Sequence, residues 1–171
     1  MARSQKKRTI KQLMGVSKRQ INANDVEFMS GYINGDISSI KRAMKNGINP
    51  AINHNNAIIV ASRNNHRGVV SLLLQDSRVD PSDRNNQAII EAAESGHVEI
   101  VRVLLADSRV DPSAQDNKAL KKSQQNKHIN VVELLLQAQQ TSSTTNLTHN
   151  KPQTQQTSNT TNYDDITRKG R

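Results

Sequence analysis

Asp76-Ser77-Arg78-Val79-Asp80-Pro81-Ser82 recurs unchanged as Asp107-Ser108-Arg109-Val110-Asp111-Pro112-Ser113, a shift of 31 residues. The same shift superposes the segments around it. Asn55, Asn86 and Asn117 correspond, as do Ala57, Ala88 and Ala119, and then His66, His97 and His128. The aliphatic runs keep step: Val69-Val70, Ile100-Val101 and Val131-Val132, followed by Leu72-Leu73-Leu74, Val103-Leu104-Leu105 and Leu134-Leu135-Leu136. A more diverged copy lies upstream, where Phe28 to Asp36 matches Ile89 to His97, Gly35 stands for Gly96, and Asn49-Pro50 stands for Asp80-Pro81. One residue is missing between Met44 and Asn49. A fixed period of this length marks a repeat architecture.

Each unit reads as helix, turn, helix and extended loop. Ile89, Ala92 and Ala93 share one face of a short helix over 88–95, and Val98, Val101, Leu104 and Leu105 share one face of a second over 98–106. Gly96 ends the first helix in a left-handed conformation, a role Asn65 can also fill. Asn86 is expected to cap the first helix with its side chain, and Asp80-Pro81 to break the second. Asn24 followed by Glu27 predicts a capping box at the start of the array. Helices this short are marginal alone and need stacked neighbours to cover their apolar faces.

The residues Ala92-Ala93-x-x-Gly96-His97, then Val98-Glu99-Ile100-Val101 and Val103-Leu104-Leu105, resemble the ankyrin repeat. The likeness covers residues 24–138. It implies an all-α, ankyrin-type helical solenoid of about four helix-turn-helix repeats, at 24–53, 54–84, 85–115 and 116–138, with disordered tails. The usual Thr-Pro-Leu-His opening is replaced by Asn56-Ala57-Ile58-Ile59, Gln87-Ala88-Ile89-Ile90 and Lys118-Ala119-Leu120-Lys121, and the period is two short of the common 33. The Asp-rich loops with Asn-rich flanks resemble ankyrin proteins of giant DNA viruses and amoebae. In the last unit Ala92-Ala93 becomes Ser123-Gln124, Ile90 becomes Lys121 and Gly96 becomes Lys127, the polar outer face a terminal repeat needs.

Composition agrees with a thin aliphatic core. Hydrophobic residues are 33% of the 171, and Phe28, Tyr32 and Tyr163 are the full aromatic set. The net charge of +9 lies in the tails: residues 1–24 carry seven basic residues and no acid, whereas 25–139 carry thirteen of each sign. The repeat region therefore has no basic bias of the kind a nucleic-acid-binding face shows. Cysteine is absent, so disulfides and thiolate chemistry are excluded. No apolar run reaches the ~18–20 residues of a membrane span, and no apolar region follows the N-terminal charges as a secretory signal requires. An intracellular, cytoplasmic monomer is expected, with nuclear import left open by the Lys6-Lys7-Arg8 and Lys18-Arg19 clusters in the basic segment 1–23. Residues 138–162 hold twenty Gln, Thr, Ser or Asn in twenty-five positions, too little apolar area to offset ordering, so 139–171 reads as a disordered tail.

No chemistry stands out. A zinc site needs ligands about 2 Å from one ion, and equivalent positions in stacked helices lie roughly 8–10 Å apart, so His66, His97 and His128 do not share a metal. The resemblance gives them a structural role, tying adjacent repeats by hydrogen bonds. The paired Asp76/Asp80 and Asp107/Asp111 lack the spacing of a calcium loop and read as turn formers. No glycine-rich phosphate loop or hydrolase signature is present. An enzyme, a cofactor and a metal site are not expected.

The resemblance implies a concave surface made by loops and the exposed side of each first helix. Carried over by position, it includes Asn53, Asn55, Arg63 and Asn64; then Arg84, Asn86, Glu91, Glu94 and Ser95; then Gln115, Asn117, Lys122, Gln125 and Asn126. The stretch Arg84 to Ser95 is expected at its centre. The leading function is a protein-binding scaffold or adaptor, in the viral reading one that engages host proteins. A nucleic-acid-associated protein acting through the basic N-terminus is the runner-up, and a decayed copy of the family is the third reading.

Overall fold

A computed structural model describes the backbone of residues 21–147 and the side chains of residues 21–140. The described residues form eight helices: α1 Ala23–Asn34, α2 Ile37–Lys45, α3 Ile52–Arg63, α4 Arg67–Leu74, α5 Asp83–Glu94, α6 Val98–Leu105, α7 Ala114–Gln125 and α8 Ile129–Leu147. No strand occurs among the described residues, so the Val79 and Val110 loops are built from turns. The basic segment through residue 20 and the polar segment from residue 148 lie outside the described residues. No helix among the described residues is long and apolar enough to cross a membrane.

Consecutive helices pair as α1/α2, α3/α4, α5/α6 and α7/α8, and the pairs stack. Small residues let the two helices of a pair approach. Ala61 and Ala92 are fully buried, as is Ser123 in the same position, and at Gly31 an added Cβ would lie 2.8 Å from Ile40 Cδ1. The stack is held by a continuous aliphatic seam. Leu73, Leu104 and Leu135 are each 0% exposed, with Val69, Val70, Ile100, Val101 and Val131 beside them. The odd-numbered helices α1, α3, α5 and α7 pack on one another as one row, called the inner row below, and the even-numbered helices form a second.

The helix openings differ from the sequence expectation in a regular way. α3, α5 and α7 each begin with three left-handed residues, Asn53–Asn55, Arg84–Asn86 and Gln115–Asn117, with φ between 52° and 64°. The right-handed helix starts at Asn56, Gln87 and Lys118. Such residues cost roughly 1–2 kcal/mol each unless a short polar side chain helps, which accounts for the asparagines there. Asn86 consequently does not cap its own helix: its Oδ1 accepts from the Asp111 backbone N–H at 2.8 Å, as Asn55 Oδ1 accepts from Asp80 at 2.9 Å. Each amide thus pins the loop that follows its own helix pair.

The capping box lies two residues earlier than expected. Asn22 Oδ1 accepts from Asp25 N at 2.8 Å, and Asp25 Oδ2 accepts from Asn22 N at 2.9 Å, because α1 already starts at Ala23. Glu27 instead pairs with Arg42 at 2.7 Å, and Asn24 Nδ2 donates to the Ala43 carbonyl at 3.3 Å. At the other end α8 continues to Leu147, past the boundary expected at residue 138. Gln139 Nε2 donates to Asn117 Oδ1 at 2.7 Å, so this extension is tied to the last inner helix.

Candidate interaction surface

The inner helices share one register. Aligning α1 to α3 by 30 residues and later pairs by 31 gives four exposed or half-exposed slots per repeat. They hold Val26, Asn56, Gln87 and Lys118; then Ser30, Val60, Glu91 and Lys122; then Ile33, Arg63, Glu94 and Gln125; then Asn34, Asn64, Ser95 and Asn126. The first three of these slots hold a different side chain in every repeat, whereas the fourth stays small and polar. The row runs from an apolar first repeat, through a mixed second and an acidic third, to a basic fourth.

The residues selected from sequence divide into two groups. Arg63, Glu91, Glu94, Ser95, Lys122 and Gln125 stand in this inner row at least partly exposed. Asn86 does not: it is only 7% exposed, and its amide oxygen is committed to the next loop. Arg84 lies at the loop edge, where its Nη2 donates to the Asn53 carbonyl at 2.8 Å. Asn64 and Asn126 are exposed but also bridge repeats, donating to the Ile33 carbonyl at 3.3 Å and to the Glu94 carbonyl at 2.7 Å. The central acid is shared as well: Lys122 Nζ sits 3.0 Å from Glu94 Oε1, while Gln87 Nε2 donates to Glu91 at 2.7 Å. Gln115 reaches the Asn85 carbonyl at 2.8 Å, and Asn53, Asn55 and Asn117 belong to the left-handed openings.

The three histidines repeat one contact. Nε2 of His66, His97 and His128 lies 2.9, 2.9 and 3.0 Å from the carbonyls of Ile33, Arg63 and Glu94. A carbonyl can only accept, so Nε2 carries the hydrogen. Each ring thereby satisfies one of the free carbonyls at the C-terminal end of the preceding inner helix. Among the described residues no group of three His, Asp or Glu side chains is placed to hold a metal ion.

On the loop side Asp76 accepts from Arg78 through its backbone N–H at 3.0 Å and its guanidinium at 2.9 and 2.6 Å. Asp107 does the same with Arg109, whose Nη1 also donates to the Val79 carbonyl at 2.7 Å. The guanidinium hydrogen bonds hold both carboxyls below their ordinary range and raise the two arginines. These arginines are turn braces.

Sequence reasoning missed the first-repeat residues of the row, Val26, Ser30 and Ile33. The match of Phe28 to Asp36 with Ile89 to His97 already places Ser30 and Ile33 opposite Glu91 and Glu94, but Val26 and Ile33 are apolar where a binding face is read from polar residues. A small cleft opens between α1 and α3, lined by Phe28, Met29, Tyr32, Ile48, Ile52 and Asn56 among others. Phe28 and Tyr32 meet edge to face at 5.5 Å. Burial pushes the Tyr32 phenol up, against the lowering effect of its hydrogen bond with Asn56.

Comparison with protein families matches the chain to a model described as ankyrin repeats (three copies), over residues 1–116 and 76–151. Comparison with individual curated proteins gives no match.

Proposed function

Because the chain belongs to the ankyrin-repeat family, whose repeats are in general protein–protein interaction modules, we propose that it is a binding scaffold that holds a partner protein along its inner helices. One observation carries this reading: the histidine contacts and the leucine seam recur from copy to copy, while three of the four outward slots, those of Val26, Ser30 and Ile33, hold a different side chain in every repeat. A surface that discriminates a partner needs varied groups on a fixed frame. From the Asp-rich loops with Asn-rich flanks we further propose a place among the ankyrin proteins of giant DNA viruses and amoebae, in the viral reading one that engages host proteins in the cytoplasm.

The test is affinity capture with the full chain, followed by titration of the recovered partner against inner-row variants. Glu91→Lys combined with Glu94→Lys and, separately, Arg63→Glu should weaken binding, whereas Lys41→Glu on α2 should not. Equal binding by all of them would remove the inner row from the interface. The seven basic residues before position 25 favour one alternative, contact with nucleic acid. Deleting residues 1–23 separates the two, since nucleic-acid binding through that segment would vanish and would be strongly salt-dependent beforehand.

A further inference from the structure

Val26 and Ile33 are 41% and 39% exposed, and the molecule supplies its own control for what those slots require. The Val26 slot holds Asn56, Gln87 and Lys118 in the other repeats, and the Ile33 slot holds Arg63, Glu94 and Gln125. Three polar residues fold there without difficulty, so the repeat does not need an aliphatic side chain at either place. Between them, in the next repeat, the slot occupied elsewhere by Ser30, Glu91 and Lys122 carries Val60, which packs partly against the core. The register thus puts three apolar residues in neighbouring slots of the first two inner helices. The slot beyond Ile33 belongs to exposed Arg63, whose side chain stands one repeat before the acidic pair Glu91 and Glu94.

Resting on the protein-binding reading above, we propose that the partner is anchored at this first junction: an aliphatic or aromatic side chain of a partner segment sits on Val26, Ile33 and Val60, and an acidic residue beside it meets Arg63. Apolar anchors dominate binding energy when polar neighbours exclude water around them, and Ser30, Asn34, Asn56 and Asn64 supply such a rim. Charge complementarity sets the second feature, because the cation adjoining the patch is Arg63, and guanidinium groups hold carboxylates through paired hydrogen bonds. A second copy of the chain fits poorly, since a few part-exposed aliphatics fall far short of the roughly 800 Å² per partner of a standard interface.

The experiment selects random dodecapeptides displayed on phage against the full chain and measures the winners as synthetic peptides. Variants borrow residues the protein already carries in the same slots, namely Val26→Gln, Ile33→Gln and Arg63→Glu, so folding is retained and circular dichroism checks it. Selected peptides should share one large apolar residue with Asp or Glu nearby. Their affinity should fall about tenfold or more with Ile33→Gln or Val26→Gln. Arg63→Glu should lower it too, and exchanging the peptide acid for Lys should restore it. Peptides that bind through Glu91 and Glu94 and ignore these variants overturn the proposal yet leave the protein-binding reading standing. A chain that selects no peptide counts against both, and self-association abolished by Ile33→Gln would replace the proposed segment by a second copy.

Discussion

At Lys127 the backbone turns left-handed with φ 60°, in the position where the preceding repeat has Gly96 at φ 75°. A Cβ in that region costs roughly 1–2 kcal/mol, and among the described residues no further repeat stacks over Lys127 to require a particular side chain. Lys127→Gly should therefore stabilise the protein by about 1 kcal/mol, net of the greater chain entropy of glycine, measured as a shift of the urea midpoint at unchanged slope. No shift would mean that the lysine side chain offsets its own strain. Ser62 presents a different residual cost. It is 0% exposed, and its Oγ has no hydrogen-bond partner, whereas Ser123 Oγ donates to the Leu120 carbonyl at 2.9 Å. Ala93 occupies the Ser62 slot one repeat later. Ser62→Ala should thus be neutral or stabilising by up to about 1 kcal/mol, and a loss of stability in the same denaturation measurement would show that the hydroxyl is satisfied in solution.

The loop element that revealed the repeat is also the one whose stability should respond to acid. Asp76 and Asp107 have carboxyls depressed first by the guanidinium hydrogen bonds of Arg78 and Arg109, with backbone N–H bonds acting in the same direction. A carboxyl lowered on folding contributes its full share above its unfolded value of about 3.9. That share is lost as pH falls through that value and then through the folded one. Asp107→Asn should accordingly flatten the decline in melting temperature below about pH 4 while lowering stability at neutral pH; an unchanged acid limb would mean the ion pair is not formed in solution. The helices and their seam were legible because apolar spacing and loop punctuation repeat in register, as Leu73, Leu104 and Leu135 show. The left-handed openings were not, because Asn53, Asn85 and Asn86 carry no apolar signal and asparagine also suits an N-cap. What separates the two roles is whether the Asn oxygen meets its own helix or the next loop, and that depends on the partner repeat. The inner row was only partly legible for a related reason: Asn86 and Glu91 are both polar residues of one helix, yet Asn86 is buried and Glu91 is not.

For the whole molecule, a stack in which each pair touches only its neighbours has stability close to a sum of repeat and interface terms. Interior and terminal substitutions of the same chemistry should then have unlike consequences. Leu104 and Leu135 occupy the same slot and are both 0% exposed, so the lost transfer and cavity energies are similar, roughly 2–5 kcal/mol for a leucine cut to alanine. Leu104 lies in the third repeat, with a pair packed on each side, whereas beyond Leu135 no further pair follows among the described residues, and its inner helix already presents Lys121 and Gln124 outward. Leu135→Ala should let the last pair fray while leaving α1–α6 protected. Leu104→Ala weakens the link between the two halves and should lower protection in α5–α8 together, because the last pair has no other neighbour to hold it. Amide hydrogen exchange followed helix by helix distinguishes these outcomes. If Leu135→Ala instead reduced protection equally from α1 to α8, the array would unfold as one cooperative block and its repeats would not behave as separable units.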